Sequence, residues 1–183
     1  MTGPAMTDAD VAASVALIGA RAPGRIPKVA LILGSGWGGV LEQVADPLDL
    51  PYADLPGFPE VGVAGHAGCL RLGTLDGVPV AVLAGRQHTY ENGHADAMKG
   101  AIRSLAALGA HTLVLTNAAG SLRPAMGTGS LMLLSDHLNM VQRTPLHGEP
   151  GSARFVDLRD AYDPALRRAA HAAVAPLGET LHE

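Results

Sequence analysis

The amino-acid sequence predicts an α/β fold of three layers, with a mixed central sheet covered on both faces by helices. Three observations predict it. Short aliphatic runs suited to buried strands alternate with longer segments of helical period. One pair of strand-like runs is joined by Asp76-Gly77, a hairpin signal that adds an antiparallel element to an otherwise parallel pattern. The strongest strands also end in glycine-rich loops, as strands of open α/β sheets do where they meet ligands. With 183 residues, 48% of them hydrophobic and 16% charged, the chain can bury one sizeable core, which excludes the disordered and fibrous classes.

Thr7 followed by Asp10 is a capping-box pattern, and Val11, Val15 and Ile18 recur at helical spacing, which predicts a helix over 7–21. Pro23, Gly24 and Pro27 end it. Val29 to Leu33 is an uninterrupted aliphatic run between Pro27 and Gly34, the pattern of a strand buried on both faces. Cys69 to Leu75 and Val78 to Ala84 flank the Asp76-Gly77 turn and should pair antiparallel. Over 95–109, Ala97, Ala101, Ile102, Leu105 and Leu108 keep a three-to-four spacing that stops at Gly109, as a helix with a glycine C-terminus does. Thr112 to Thr116 reads as the next strand and Leu131 to Leu134 as a further short one. Asp163-Pro164 opens a last helix through Leu166, Ala170 and Val174, ending near Pro176 and Gly178, where a new strand should begin.

Composition narrows function by exclusion. Thirteen basic residues face 17 acidic ones, and no lysine or arginine run could neutralise a row of phosphates, so nucleic acid is an unsuitable partner. The longest apolar runs fall far short of the roughly 20 residues that span a bilayer, so no membrane segment is expected. The single cysteine, Cys69, cannot form an internal disulfide, and no signal-peptide pattern opens the chain, which points to a reducing cytoplasm. At 3% aromatic content, the core must be built from Ala, Val and Leu, so each aromatic residue invites a role beyond packing. Eight histidines raise the question of a metal, but no H-E-x-x-H arrangement, cysteine pair or aspartate loop accompanies them. No metal site is expected.

Three strand-end loops carry the candidate chemistry. Gly34-Ser35-Gly36-Trp37-Gly38-Gly39 offers bare amides and a hydroxyl to an anion, although such glycines serve a purely structural turn equally well. It lacks the lysine of a P-loop. In Gly85-Arg86-Gln87-His88-Thr89-Tyr90-Glu91, an extended backbone would turn Arg86, His88 and Tyr90 to one side. An arginine fork suits phosphate oxygens, a histidine can donate to phosphate or sugar, and a tyrosine can cover a ribose face. The alternative is a surface arginine and a histidine that caps the next helix. Asn117-Ala118-Ala119-Gly120 has small residues whose amides a ligand could approach, or forms a simple turn. His66, in Gly65-His66-Ala67-Gly68, and the Asp136-His137 pair are further candidates, the latter read as structural.

Together the blocks Leu33-Gly34-Ser35-Gly36-x-Gly38-Gly39, Gly65-His66-Ala67-Gly68-x-Leu70, Gly85-Arg86-x-His88-x-Tyr90-Glu91 and Thr116-Asn117-Ala118-Ala119-Gly120-x-Leu122 stand in the order and at the spacings of trimeric purine nucleoside phosphorylases. Asp136-His137-x-Asn139 and Asp160-Ala161-Tyr162-Asp163 add to the resemblance, which covers about residues 30–167 and is similar to the inosine/guanosine branch rather than to the methylthioadenosine phosphorylases of the same fold. It implies a phosphorylase/hydrolase-like fold and reversible phosphorolysis of purine nucleosides. It further implies phosphate held by Ser35, His66, Arg86, His88 and the backbone at Ala118, with Tyr90 and His88 near the ribose and Asn117, Ala119 and Gly120 in support; Gln87, between two of these residues, is a further phosphate-binding candidate of this sequence. It implies a homotrimer, and phosphate as co-substrate with no metal or organic cofactor. The chain departs from the pattern at Gln87, at Asn92, and over His147 to Arg154, which lacks the aromatic that relatives lend to a neighbouring subunit; Phe155 is the nearest. An inert nucleoside- or phosphate-binding module and a nucleosidase that uses water are the competing classes.

Relatives of this kind continue past the position of Glu183 with the residues that recognise the purine. The expectation is therefore one nucleoside phosphorylase domain over 1–183, incomplete at its C-terminal side. The predicted outcome is that these residues alone are poorly soluble or partly unfolded and release no base from inosine. A folded, fully active species with an intact mass of 18.7 kDa overturns it.

Overall fold

The computed structural model describes residues 6–60 and 68–183. The chain divides into two compact units, Met1–Ala118 and Ala119–Glu183. In the first, helix α1 (Asp8–Arg21) opens with the capping box that the sequence predicts: the Thr7 N–H donates to Asp10 Oδ2 at 2.8 Å and the Asp10 N–H to Thr7 Oγ1 at 3.3 Å. Hydrogen bonds from the Thr7 amide and hydroxyl hold the Asp10 carboxyl below its usual range. Strand β1 (Val29–Ile32) follows, then a short 3-10 helix over Gly38–Gln43.

Strand β2 (Ala45–Pro51) was not predicted. Its Asp46, Pro47, Asp49 and Pro51 are poor strand formers, and only an edge position lets a strand tolerate two prolines. β2 occupies that position, pairing on β3 (Cys69–Leu75) with a register shift between Ala45 and Leu48. β3 and β4 (Val78–Ala84) have the predicted bounds and pair antiparallel across a turn in which both Asp76 and Gly77 have positive φ. Helix α2 (Thr89–Asn92) comes next. α3 (Lys99–Leu108) starts four residues later than predicted because 95–98 form turns, and it ends at left-handed Gly109 as expected. β5 (Thr112–Leu115) completes a five-stranded sheet in the order β2-β3-β4-β1-β5. β1 runs parallel to both β4 and β5, so the sheet is mixed.

α1 and α3 cover one face, where Ile18, Ala22, Ala101 and Leu105 close on Ala30, Ile32, Leu70, Leu72 and Leu83. On the other face Val40 and Leu41 of the 3-10 helix pack against Val80 and Val82. Gly100 is buried because α3 runs so close to the chain at Gly57 that a side-chain carbon at 100 would collide with the Gly57 carbonyl. In the second unit, β6 (Leu131–Met132) pairs parallel with β7 (Leu181–His182), a shorter strand than predicted over Leu131 to Leu134. α4 (Pro164–Val174) lies between them in sequence, capped by Asp163, whose carboxylate accepts the Ala165 and Leu166 amides at 2.7 and 2.9 Å.

Asp49 and Arg71 face each other across β2 and β3 in a two-pronged pair, both bonds 2.7 Å, which holds the Asp49 carboxyl below its ordinary 3.8. Such a depressed carboxyl contributes stability above its unfolded value and loses it as pH falls through the folded one. Both side chains are partly exposed, so Asp49→Asn should cost no more than about 1 kcal/mol near neutrality. The wild-type advantage should vanish well below pH 3.8, as chemical denaturation at both pH values will show.

Candidate active site at the strand ends

Parallel pairing sets the geometry. Ile32 of β1 stands level with Leu83 of β4 and with Leu115 of β5, so all three strands end together. The Leu33 N–H still donates to the Leu83 carbonyl and the Thr116 N–H to the Ile32 carbonyl. Beyond this line begin the three loops that the sequence singled out.

Gly34 opens the first. It is buried, and its N–H donates to Thr116 Oγ1 at 2.9 Å. A side-chain carbon there would strike the Thr116 carbonyl and lie 2.9 Å from Asn117 Cα, so glycine is required by the approach of β1 to the end of β5. Gly36 has φ 87° with open space around it, and Ser35 stands exposed beside it at the tip of the turn.

The second loop leaves β4 through Gly85, which is buried at φ 114°. The buried Tyr52 donates its hydroxyl to the Gly85 carbonyl at 2.9 Å, while its ring packs on Phe58 with centroids 5.4 Å apart. Burial pushes the Tyr52 phenol far above its usual value, so it serves as a fixed donor. The Tyr52 N–H also donates to the Gly68 carbonyl, and the Gly68 N–H donates to that of Ala84. Arg86, half-buried, donates from Nη1 to the Thr116 carbonyl at 2.6 Å and from Nε to His88 Nε2 at 3.3 Å. Because a guanidinium can only donate, His88 Nε2 is the acceptor and Nδ1 carries the hydrogen that Glu91 Oε1 receives at 2.9 Å. The same Oε1 accepts the His88 N–H at 2.7 Å.

Of the two readings of His88 left open by the sequence, the structure shows the helix-capping one: it stands at the N-cap of α2, with its ring against Arg86. The extended stretch expected through Tyr90 is corrected: α2 begins at Thr89, so Tyr90 is helical and 80% exposed. Its ring nevertheless stacks on that of His88, 4.8 Å between centroids and 19° between planes. Gln87 is half-buried between Arg86 and His88.

The third loop begins at Asn117, whose side-chain amide donates to the Ala118 carbonyl at 3.1 Å. Ala118 closes the first unit, and Ala119 and Gly120 open the second, all three exposed. His66 lies outside the described residues. Within the second unit His137 Nδ1 meets the Tyr162 hydroxyl at 3.0 Å in an edge-on contact, which joins two of the sequence blocks as a structural pair. Among the described residues no three of His, Cys, Asp and Glu gather as a metal cage, and no helix is long and apolar enough to cross a membrane.

The sequence model of the phosphorylase superfamily matches residues 28–183. The chain belongs to that superfamily. It is 39% identical over 160 residues to purine nucleoside phosphorylase 1 of Geobacillus stearothermophilus, an alignment covering 86% of this chain and 58% of the relative. Against purine nucleoside phosphorylase 1 of Bacillus subtilis it is 43% identical over 140 residues, covering 75% and 52%. Isoform 2 of the Schistosoma mansoni purine nucleoside phosphorylase, solved with cytosine and ribose-1-phosphate, is structurally similar at TM-score 0.89 and 28% identity, over 99% of this chain and 66% of that one. The chain thus spans a little over half the length of these curated relatives.

Tyr52, Glu91 and Thr116 join the candidate residues without having been chosen from the sequence. The rarity of aromatics pointed at Tyr52, and Glu91 and Thr116 stand inside motifs that carry the family resemblance. Gly34→Ala should push β1 off the end of β5 and destabilise the chain by about 1–3 kcal/mol in chemical denaturation. A loss under about 0.5 kcal/mol, the range of an ordinary surface substitution, would mean the close approach is not required.

Proposed function

We propose that this chain carries the phosphate- and ribose-binding part of a purine nucleoside phosphorylase, which converts purine ribo- and 2′-deoxyribonucleosides and phosphate into free base and pentose 1-phosphate. The observation that carries this reading is Arg86. Its guanidinium is fixed at the common end of three strands by Thr116 and His88, and its Nη2 has no hydrogen-bond partner among the described residues. A half-buried, positioned fork with unused donors suits a phosphate dianion, and amides near Ser35 and Ala118 are of the kind that complete such a cradle.

In the proposed reaction, a phosphate oxygen forms a bond to the anomeric carbon as the glycosidic bond breaks. The bonding pair leaves with the purine, which gains a proton or hydrogen bond at N7, and phosphate also offsets the oxocarbenium charge on the ribose. The chain's part is placement and preorganised charge. Arg86 fixes the nucleophile, with Ser35, Gln87 and the Ala118 amide around it and His66 assigned by its motif alone. His88, oriented by Glu91, reaches toward phosphate or ribose, and Tyr90 covers the sugar from its stacked position on His88. Asn117 supports the floor. The solved relative holding ribose-1-phosphate supports this product class. No organic cofactor enters the scheme, and the assembly is proposed to be a cytoplasmic homotrimer.

In a form spanning the full length of the relatives, release of hypoxanthine from inosine should require phosphate. There Arg86→Ala should cost about 2–4 kcal/mol in kcat/KM for phosphate. Base release without phosphate would make the protein a nucleosidase, and unchanged kinetics in the variant would remove Arg86 from the site. Light scattering of that form should give three subunits; a monomer at micromolar concentration would refute the trimer.

A further inference from the structure

We infer that Thr116 is a positioning residue for phosphate, the side chain that ties the three strand-end loops into a single receptor; the inference rests on the phosphate site proposed above. Three contacts carry it. The Thr116 hydroxyl accepts the Gly34 N–H at 2.9 Å, which fixes the start of the Gly34-Ser35-Gly36 turn. The same hydroxyl donates its own hydrogen to the Ile32 carbonyl at 3.4 Å, so the acceptor lone pair is held toward Gly34. Its carbonyl accepts from Arg86 Nη1 at 2.6 Å, and its peptide leads directly into Asn117 and Ala118. Serine loop, arginine loop and alanine loop thus share one reference point.

Successive amides of a strand point to opposite edges, so the Leu33 N–H donates to the Leu83 carbonyl of β4 while the Gly34 N–H faces the end of β5. β1 ends its regular pairing at Ile32, and the hydroxyl supplies the rung that backbone no longer can. That explains threonine at 116. Its branched carbon suits the strand end, and its hydroxyl can accept from Gly34 and donate to Ile32 at once. Removing the oxygen while keeping the shape leaves the Gly34 N–H unsatisfied and frees the turn to move against Arg86. Affinity for an ion gripped by both loops then falls, because their spacing has to be restored on binding.

The test uses the form that spans the full length of the relatives and inorganic phosphate, with binding read by calorimetry for the wild type, Arg86→Ala, Thr116→Val and Thr116→Ser. Thr116→Val should weaken phosphate about tenfold at a thermal midpoint close to that of Thr116→Ser, and Thr116→Ser, which keeps the hydroxyl, should restore most of the affinity. Valine binding within twofold of the wild type, while Arg86→Ala abolishes binding, overturns the role of Thr116 and leaves the phosphate site standing. Absence of binding in the wild type overturns both. If Thr116→Val does not fold, amide exchange in the wild type decides: saturating phosphate should slow exchange at Gly34, and an unchanged rate refutes the inference.

Discussion

The rest of the structure depends on the parallel pairing of β1 with β4 on one side and β5 on the other. Parallel strands in register must finish at the same end of a sheet, and Ile32, Leu83 and Leu115 do so in one row. Loops that lie far apart in sequence, at 34–39 and 85–91, are thereby brought to within hydrogen-bonding reach of Thr116. No local feature of any of these loops could achieve that. The hydrophobic faces that hold the row in place are supplied by α1 and α3 on one side and by the 3-10 helix on the other.

Glycine does two separate jobs around this row. Gly34 and Gly100 are absences of volume, each set where a backbone carbonyl of another segment occupies the space a side chain would need. Gly36 and Gly85 instead supply backbone angles, bending the chain where it leaves the sheet. Along the sequence these roles look alike, as the glycines of one anion-binding loop. In the folded chain the first glycine of that loop is a packing residue, while Gly36 beyond it faces open space.

Polar order at the candidate site is built in layers. Tyr52, buried and anchored against Phe58, holds the Gly85 carbonyl, and Thr116 holds Gly34 and the Arg86 guanidinium. Glu91 then fixes the His88 tautomer, and His88 in turn accepts from Arg86 and carries Tyr90 on its ring. Each of these contacts is made to a neighbour that is itself fixed, which is how a site keeps its geometry before a ligand arrives.

Periodicity and punctuation by themselves determined α1, β1, the hairpin at Asp76-Gly77, α3, β5, the capped starts of α1 and α4, and the α/β class. They did so because these depend on neighbours a few residues apart. The family resemblance and the three candidate loops were also legible, since motif blocks are read along the chain. Tertiary structure alone decided the edge strand β2, whose prolines and aspartates are tolerable only because nothing needs to pair with its outer side. It also decided that Tyr90 enters a helix yet still lies on His88, and that Thr116 and Tyr52 belong to the candidate site. Thr116 meets Gly34 across 82 residues and Tyr52 meets Gly85 across 33. A sequence records each partner, but only the register of the sheet determines that they touch.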